Sequence, residues 1–514
     1  MYSLIKSAAV FGIDAFIVEI ETHMDNGVPA FSVVGLPDSA VKESRERVTA
    51  AIKNSEFIFP VKRITVNLAP ADVKKEGSAF DLPIALGILG STGVLQQSQL
   101  DGVIALGELS LEGKLRTIHG VLPIAIEAKK QGFNKILVPE QNADEAALVD
   151  GLTVIPLESL QDAVEFLHGE KEIPSRFVDV KKLFEKHQDM NMLDMADVKV
   201  QENVKRAIEV SAAGGHNILM IGPPGSGKTM LAKRVPTVLP PLSLDESLET
   251  TKIHSVAGIM AANEALVTTR PYRSPHHTIS DAALVGGGMS KIRPGEISLA
   301  HHGVLFMDEL PEFARNVLEV LRQPLEDKSI TISRTRMTVE YPANFMLICS
   351  MNPCPCGNFG NPNQECTCTP TQIRKYLGKI SGPLLDRIDI HVEVPNVKYQ
   401  ELSAERTGER SELIRDRVVN ARERQIERFA GANGIYKNAD MNSKQIRKYC
   451  ILDQASKDLL KMAVTRLGFS ARAYNRILKV ARTIADLTDS DDIKSEHISE
   501  AIQYRSLEKD YGLA

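Results

Sequence analysis

At 514 residues the chain exceeds what a single hydrophobic core organises, so two to four domains are expected. Apolar residues at 43% and charged residues at 25% argue against a disordered or membrane-spanning chain. A formal net charge of only -5 lacks the strong basic bias of a DNA-wrapping protein, so any nucleic-acid contact is expected as a local patch lining a groove or pore, and charge alone neither proves nor excludes one.

The N-terminal stretch AVFGIDAFIVEIE is interrupted by Asp14 and then alternates through Ile13, Ala15, Ile17 and Glu19. That period predicts a strand, with neither the apolar core nor the cleavage site of a signal peptide. No uncharged apolar run reaches the about 18 residues that a transmembrane helix needs. A reducing cytoplasm is therefore expected, where clustered cysteines bind metal or react more often than they pair. Up to about residue 168, β-rich runs such as KRITVNLAP and NKILVP mix with helical patterns such as SAVKESRERVTAAIKN, which predicts one α/β domain. EKEIPSRFVDVKKLFEKHQDMN then turns polar, as a linker or peripheral helix does. A second α/β segment runs to about Pro395. Beyond it, SAERTGERSELIRDRVVNARERQIERF and the residues after Asp440 read as charged amphipathic helices.

The strongest local signal is NILMIGPPGSGKTMLAKRV, in which an apolar strand meets Gly222, Pro223, Pro224, Gly225, Ser226, Gly227, Lys228 and Thr229 before a helix begins. Strand, glycine-rich loop and helix stand in the order a P-loop needs: backbone N–H groups close on phosphate oxygens, Lys228 reaches the β- and γ-phosphates, and the Thr229 hydroxyl ligates Mg²⁺. Downstream, the apolar strand in GVLFMDEL ends in Asp308 and Glu309, suited to hold the Mg²⁺ shell and to orient a water molecule. Asn352 ends the strand NFMLICSMN and could bridge the γ-phosphate and that water, while Arg387 and Arg472 could supply positive charge. Spacing alone leaves each of these three equally open to a turn or solvated-surface role.

Four of the six cysteines follow directly on Asn352 as two Cys-x-Cys pairs, Cys354/Cys356 and Cys366/Cys368, nine residues apart. Four thiolates can form a tetrahedral Zn²⁺ site, and the turn-rich GNFGNPNQE between the pairs lets them fold together. A redox-sensitive loop and plain packing stay open as alternatives. Cys349 and Cys450 fall in apolar patterns and are expected in the core. The roughly 80 residues between Lys228 and Asp308 exceed a minimal crossover and imply an insertion carrying Arg270, Arg273, His276, His277 and Arg293, its histidines structural or substrate-facing. ITISRTRMTVEYP alternates as a hairpin whose tip holds Arg334 and Arg336, open to phosphate contact or to plain solvation.

These motifs resemble an AAA+ ATPase of the helix-2-insert clade, and more narrowly the magnesium-chelatase-like YifB/ComM family. GGHNILMIGPPGSGKTMLA, RPYRSPHHTISDAALVGGG, RPGEISLAHHGVLFMDELPEF, LRQPLED, MNPCPCG and SARAYNRILKVARTIADL resemble family blocks in the family's order, and with the N-terminal segment they span essentially the whole chain. The resemblance implies an α/β fold class with four parts: a Lon-protease-C-terminal-like (ribosomal S5 domain 2-like) domain over 1–168, a linker over 169–191, a P-loop AAA+ core with helix-2 insert and four-cysteine loop over 192–396, and a helical lid over 397–514. It further implies Asn352 as sensor 1, Arg387 as an arginine finger acting in trans, Arg472 as sensor 2, and the hairpin as one that points into a pore. ATP and Mg²⁺ as cofactors, a hexameric ring, single-stranded or branched DNA as substrate, recombination proteins as partners and branch migration in natural transformation all follow from the same likeness. One departure stands out, because Val200 precedes Gln201 where the family pattern has glycine.

Three rival functions remain to be weighed. The N-terminal likeness to Lon puts Ser78 where a proteolytic serine would fall, but the position of the Lon lysine is apolar, at or near Leu122. A serine without a base is a weak nucleophile, so Ser78 is expected as a helix N-cap. A magnesium-chelatase-like ATPase that remodels a protein partner fits the core, but the chelatase subunit is expected to lack this N-terminal domain, and the four-cysteine loop resembles the YifB/ComM family more. A nucleotide-switched scaffold fits poorly, because it has no need of both Asp308 and Glu309.

Overall fold

Alternating burial starts with the first residues: in β2 (Asp14–Asp25) Val18, Ile20, Thr22 and Met24 point inward, and β1 (Tyr2–Phe11) pairs with it antiparallel along its full length. The computed structural model describes residues 1–187, 193–261, 264–288, 292–334, 337–361, 364–396, 408–432 and 434–510. To these strands are added β3 (Ala30–Val34), β4 (Arg63–Ala69), β5 (Val103–Ala105), a short β6–β7 hairpin (Glu108–Leu109, Leu115–Arg116), β8 (Lys135–Pro139) and β9 (Thr153–Leu157). The seven-stranded sheet runs β3-β4-β2-β1-β5-β8-β9. Its two faces are covered by different helices. Ser39–Asn54, capped by the Asp38 carboxylate accepting from Val41 N at 2.8 Å, and Asp81–Thr92 bury one face; Val121–Lys130 buries the other.

Ser78 corrects an expectation. The helix begins at Asp81 with Phe80 as its cap residue and no side-chain cap: the Leu82 N–H donates to the Gly107 carbonyl at 3.0 Å and Pro83 has no N–H to satisfy. The Ser78 hydroxyl instead donates to Glu108 on β6. Leu122 is fully buried in the helix Val121–Lys130.

The second sheet is built from β10 (Ile218–Ile221), β11 (Tyr272–Arg273), β14 (Val304–Met307), β17 (Met346–Met351) and β18 (Ile390–Glu393), all parallel. β12 (Gly286–Gly287) and β13 (Arg293–Pro294) pair apart from it, as do β15 (Ser329–Arg334) and β16 (Met337–Pro342). Continuous apolar runs in β10 and β14, and in β17 but for Ser350, suit a parallel sheet covered on both faces. Its order, β11-β14-β17-β10-β18, slots β17 between β10 and β14, although β17 comes later in the chain than either. Such a reversal of strand order opens a crevice at the carboxyl ends of the strands.

The helices Ser411–Arg428, Gln454–Leu467, Ala471–Leu487 and Ser495–Asp510 follow. Ala471–Leu487 turns Ile477, Leu478, Ala481, Ile484 and Ala485 inward at helical spacing, into one core with β10. His216, just before β10, ties the parts together, with Nδ1 3.1 Å from the Asp389 carboxylate and Nε2 2.9 Å from Thr483 Oγ1. No helix among the described residues is long and apolar enough to cross a membrane.

The long connection between β10 and β14 is folded back onto the rest of the chain. Its helix Leu244–Ala257 donates Ser255 Oγ to the buried Glu145 carboxylate, which also accepts from Leu122 N at 2.8 Å. Arg270 is engaged by Glu246 at 3.0 Å and by the His302 carbonyl at 2.7 Å, and Arg273 is held bidentately by Glu296 at 2.6 and 2.7 Å. These two arginines fasten the connection and do not make a free basic surface. At the tip of the β15–β16 hairpin, Arg336 and the Arg334 side chain lie outside the described residues.

Candidate nucleotide-binding site

The P-loop leaves β10 with Gly222, whose N–H donates to the Met351 carbonyl at the end of β17 at 3.1 Å. A Cβ at Gly222 would stand 2.2 Å from the Val394 carbonyl oxygen, so only glycine fits between the two strands. The loop then turns into the helix Lys228–Val238, which starts at Lys228 and points its free N–H groups at the crevice. Lys228 Nζ donates to the Gly222 carbonyl at 2.7 Å, the Pro223 carbonyl at 2.9 Å and Asn352 Oδ1 at 3.2 Å. Burial holds its ammonium below the usual lysine range, with Asp308 and Glu309 pulling the other way. A partly desolvated cation is therefore aimed at the crevice.

Thr229 Oγ1 donates to Asp308 Oδ2 at 2.7 Å, bringing a hydroxyl and a carboxylate within reach of one ion. This pair of hard oxygen donors at a helix N-terminus fits Mg²⁺, which takes few protein ligands and shares the rest with phosphates and water. Ser350, which the sequence reading passed over, donates its hydroxyl to Asp308 and accepts the Glu309 N–H at 3.3 Å. Glu309 adopts φ +54, a left-handed conformation rare outside glycine. Strain of that kind gathers where a side chain must be aimed. Its carboxylate is half exposed, 3.7 Å from His277 Nδ1. His277 comes from the inserted connection 32 positions upstream and stacks its edge on Phe313, so nothing in local spacing could have announced the contact.

Arg387 and Arg472 stand elsewhere. Both line a cleft of about 660 Å³ together with Asp386, Asp389, Asp440 and Arg476, and none of residues 222–229 contributes to its wall. Arg387 is buried and paired with Glu326; Arg472 is two-thirds exposed, 3.6 Å from Asp386. The four cysteines of the loop after β17 converge: Cys354, Cys356, Cys366 and Cys368 have all their sulfurs within 4.8 Å of one another. The Asn358 backbone N–H, foremost among its neighbours, holds the Cys356 thiol down to about 5. Cys349 is buried in β17 and its thiol pushed well up by burial; Cys450 is likewise buried. Elsewhere on the connection between β10 and β14, Glu249, which the sequence had not singled out, meets His301 Nε2 at 3.2 Å and His302 Nε2 at 2.8 Å. His301 Nδ1 accepts from Asn344 N at 3.0 Å, which leaves the proton on Nε2 facing Glu249 and so argues for a hydrogen bond over a metal there.

The Val200 departure has a local consequence. Val200 and Gln201 sit at φ +64 and +62, and the Gln201 amide donates to the Ser226 carbonyl at 2.9 Å and the Pro395 carbonyl at 3.1 Å. A β-branched residue in the left-handed region is strained by roughly 1–2 kcal/mol, part of which glycine's greater unfolded freedom offsets. Val200→Gly is expected to stabilise this segment by about 1 kcal/mol. Urea unfolding followed by proteolytic susceptibility of the P-loop region checks it; an unchanged or lowered midpoint would show that the turn carries no strain.

A five-stranded parallel sheet in this order, with a P-loop and an Asp-Glu pair at its carboxyl edge, defines an ATP-binding protein of the AAA+ class. Family models for magnesium chelatase match the chain in three places: "Magnesium chelatase, subunit ChlI" over residues 194–402, "Subunit ChlI of Mg-chelatase" over 20–142 and "Magnesium chelatase, subunit ChlI C-terminal" over 408–505. The chain is 44% identical to the competence protein ComM of Haemophilus influenzae, covering 98% of this chain and 97% of that one. It is also 44% identical to the uncharacterised protein YifB of Escherichia coli, over 99% and 97% of the two. The magnesium-chelatase subunit ChlI of Cyanidium caldarium is 24% identical over 40% of this chain and 58% of its own length. The chain belongs to the magnesium-chelatase-like YifB/ComM family.

Proposed function

We propose that this protein is an ATP-hydrolysing motor that assembles as a hexameric ring and moves single-stranded or branched DNA through its pore in the cytoplasm, a branch-migration helicase serving recombination and natural transformation. The convergence of Lys228, Thr229, Asp308, Glu309 and Asn352 at one sheet edge carries the hydrolysis half of this reading. Full-length similarity to a relative named for competence supports the DNA half. The residues divide the work. Lys228 and the N–H groups of 225–229 neutralise and hold the phosphates; Thr229 and Asp308 would hold Mg²⁺, which would supply charge neutralisation to the phosphates. Glu309 orients the attacking water, accepts its proton and depends on Ser350 for the setting of its backbone. Asn352, held beside Lys228, bridges the γ-phosphate and that water. Arg387 and Arg472, gathered in a cleft away from their own P-loop, reach a neighbouring subunit's nucleotide.

DNA is held through its backbone phosphates, with Arg334 and Arg336 at the hairpin tip as contacts, so binding is salt-sensitive and largely blind to sequence. The four cysteines hold a structural Zn²⁺, since a closed four-thiolate shell leaves no position for substrate. The test is ATP turnover with and without single-stranded DNA, followed by resolution of a synthetic four-way junction. Stimulated turnover and resolution that disappears in Lys228→Ala are the expected results. Turnover indifferent to DNA would instead favour remodelling of a protein partner, in the manner of a chelatase motor.

A further inference from the structure

The four-cysteine loop lies directly against the phosphate-binding loop. Gly357, midway along the first arm, has φ +82, and a Cβ built on it would stand 2.4 Å from Pro224 Cδ and 2.8 Å from Cγ. The backbone of the loop thus packs on the P-loop's second proline with no side chain between. At its start the same loop carries Asn352, 3.2 Å from Lys228 Nζ. Two contacts therefore link it to the P-loop, one at each end of residues 224–228.

Turns order this loop beside the cysteines: the Gly357 N–H donates to the Cys354 carbonyl and the Asn361 N–H to the Asn358 carbonyl, each at 3.0 Å. Between β17 and the helix Pro370–Leu377 its described residues form no helix or strand, and its one aromatic, Phe359, is more than a third exposed. A segment of that length with so little apolar burial needs a staple. The sulfurs supply the means: Cys354 lies 3.3 Å from Cys356 and 3.7 Å from Cys366, and Cys356 lies 3.6 Å from Cys366. Four thiolates bound to Zn²⁺ at about 2.3 Å stand about 3.8 Å apart, which these separations approach. Cys354 is fully buried and accepts the Phe359 N–H at 3.3 Å, the kind of backbone donor that orients a metal-bound thiolate.

We propose that Cys354, Cys356, Cys366 and Cys368 hold a Zn²⁺ that props the phosphate-binding loop through the Gly357–Pro224 contact, so that metal occupancy sets nucleotide affinity. The inference rests on residues 222–229 binding nucleotide. The metal takes no part in the reaction: it fixes the arm that walls Pro224, and without it the wall and the Asn352 end of the loop move apart.

The test uses the full chain and a fluorescent ATP analogue. Zinc is counted by elemental analysis in wild type, in Cys366→Ser/Cys368→Ser and in Gly357→Ala, with hydrogen exchange read across residues 222–229. Wild type is expected to carry one zinc per chain. The double cysteine variant loses it, binds the analogue about tenfold more weakly and exchanges faster through 222–229 while the N-terminal sheet stays protected. Gly357→Ala keeps its zinc yet also binds more weakly, because only the prop is disturbed. Wild type that binds the analogue without zinc, or a double variant with undiminished affinity, overturns the proposal. So does Gly357→Ala with unchanged affinity. A chain with one zinc that binds no nucleotide overturns the P-loop reading itself and, with it, the coupling.

Discussion

Glu309→Gln is expected to lower kcat for ATP hydrolysis by about 10²–10⁴-fold while leaving nucleotide affinity within about threefold. The amide keeps the shape of the side chain but cannot accept a proton, and it keeps the backbone N–H that Ser350 and Asp308 engage at 3.3 and 3.1 Å. On the proposed reading, ground-state binding comes from elsewhere, from Lys228 and the turn 222–227, so the two parameters are expected to separate. Lys228→Ala, by contrast, is expected to fail at binding, since it removes a buried cation held by the loop's own carbonyls. Steady-state turnover paired with equilibrium binding of a nucleotide analogue distinguishes the two patterns. A Glu309→Gln chain that turns over at the wild-type rate would show that this carboxylate does not handle the proton, and would redirect attention to His277, 3.7 Å away.

What the sequence made legible here was whatever is contiguous. The helix Ser39–Asn54 and the order strand, glycine turn, helix around Gly222–Thr229 are written in neighbouring residues, because period and turn chemistry act over a few positions. The relation between motifs was not written there. Placing β17 between β10 and β14 is a choice of sheet order, and it alone brings Asn352 to Lys228 and Ser350 to Asp308 across 124 and 42 positions. Ser78 was misread for a related reason: a serine shortly before a helix has the composition of a cap, but the backbone started the helix three residues later and Glu108 claimed the hydroxyl. The arginines of the inserted connection carried a similar ambiguity, since a charge in sequence does not reveal the Glu246 or Glu296 that neutralises it. Gly357 looked like one turn glycine among several until its missing Cβ was seen to face Pro224.

The second large effect concerns Arg387, whose replacement by alanine is expected to reduce turnover by about 10³–10⁵-fold, the range of a lost arginine finger. The informative experiment is a mixture. Arg387 shares a cleft with Arg472, and no residue of 222–229 lines that cleft, so within one chain the two guanidiniums and the phosphate-binding loop address different surfaces. A head-to-tail ring joins such surfaces, each interface taking its P-loop from one subunit and its arginines from the next. Arg387→Ala supplies an intact P-loop and Lys228→Ala an intact arginine, so random mixing of the two inactive chains assembles about a quarter of the interfaces complete. Turnover is then expected to return to a measurable fraction of wild type, and Arg472→Ala mixed with Lys228→Ala is expected to behave alike. Were Arg387 to act on its own subunit's nucleotide, every site in the mixture would lack one group and activity would stay at background. The pairing of Arg387 with Glu326 adds a further expectation to the same assay: Glu326→Gln frees the guanidinium from its intrachain partner, so activity survives with weaker dependence on subunit concentration. Concentration series of the mixed and single chains read both effects at once.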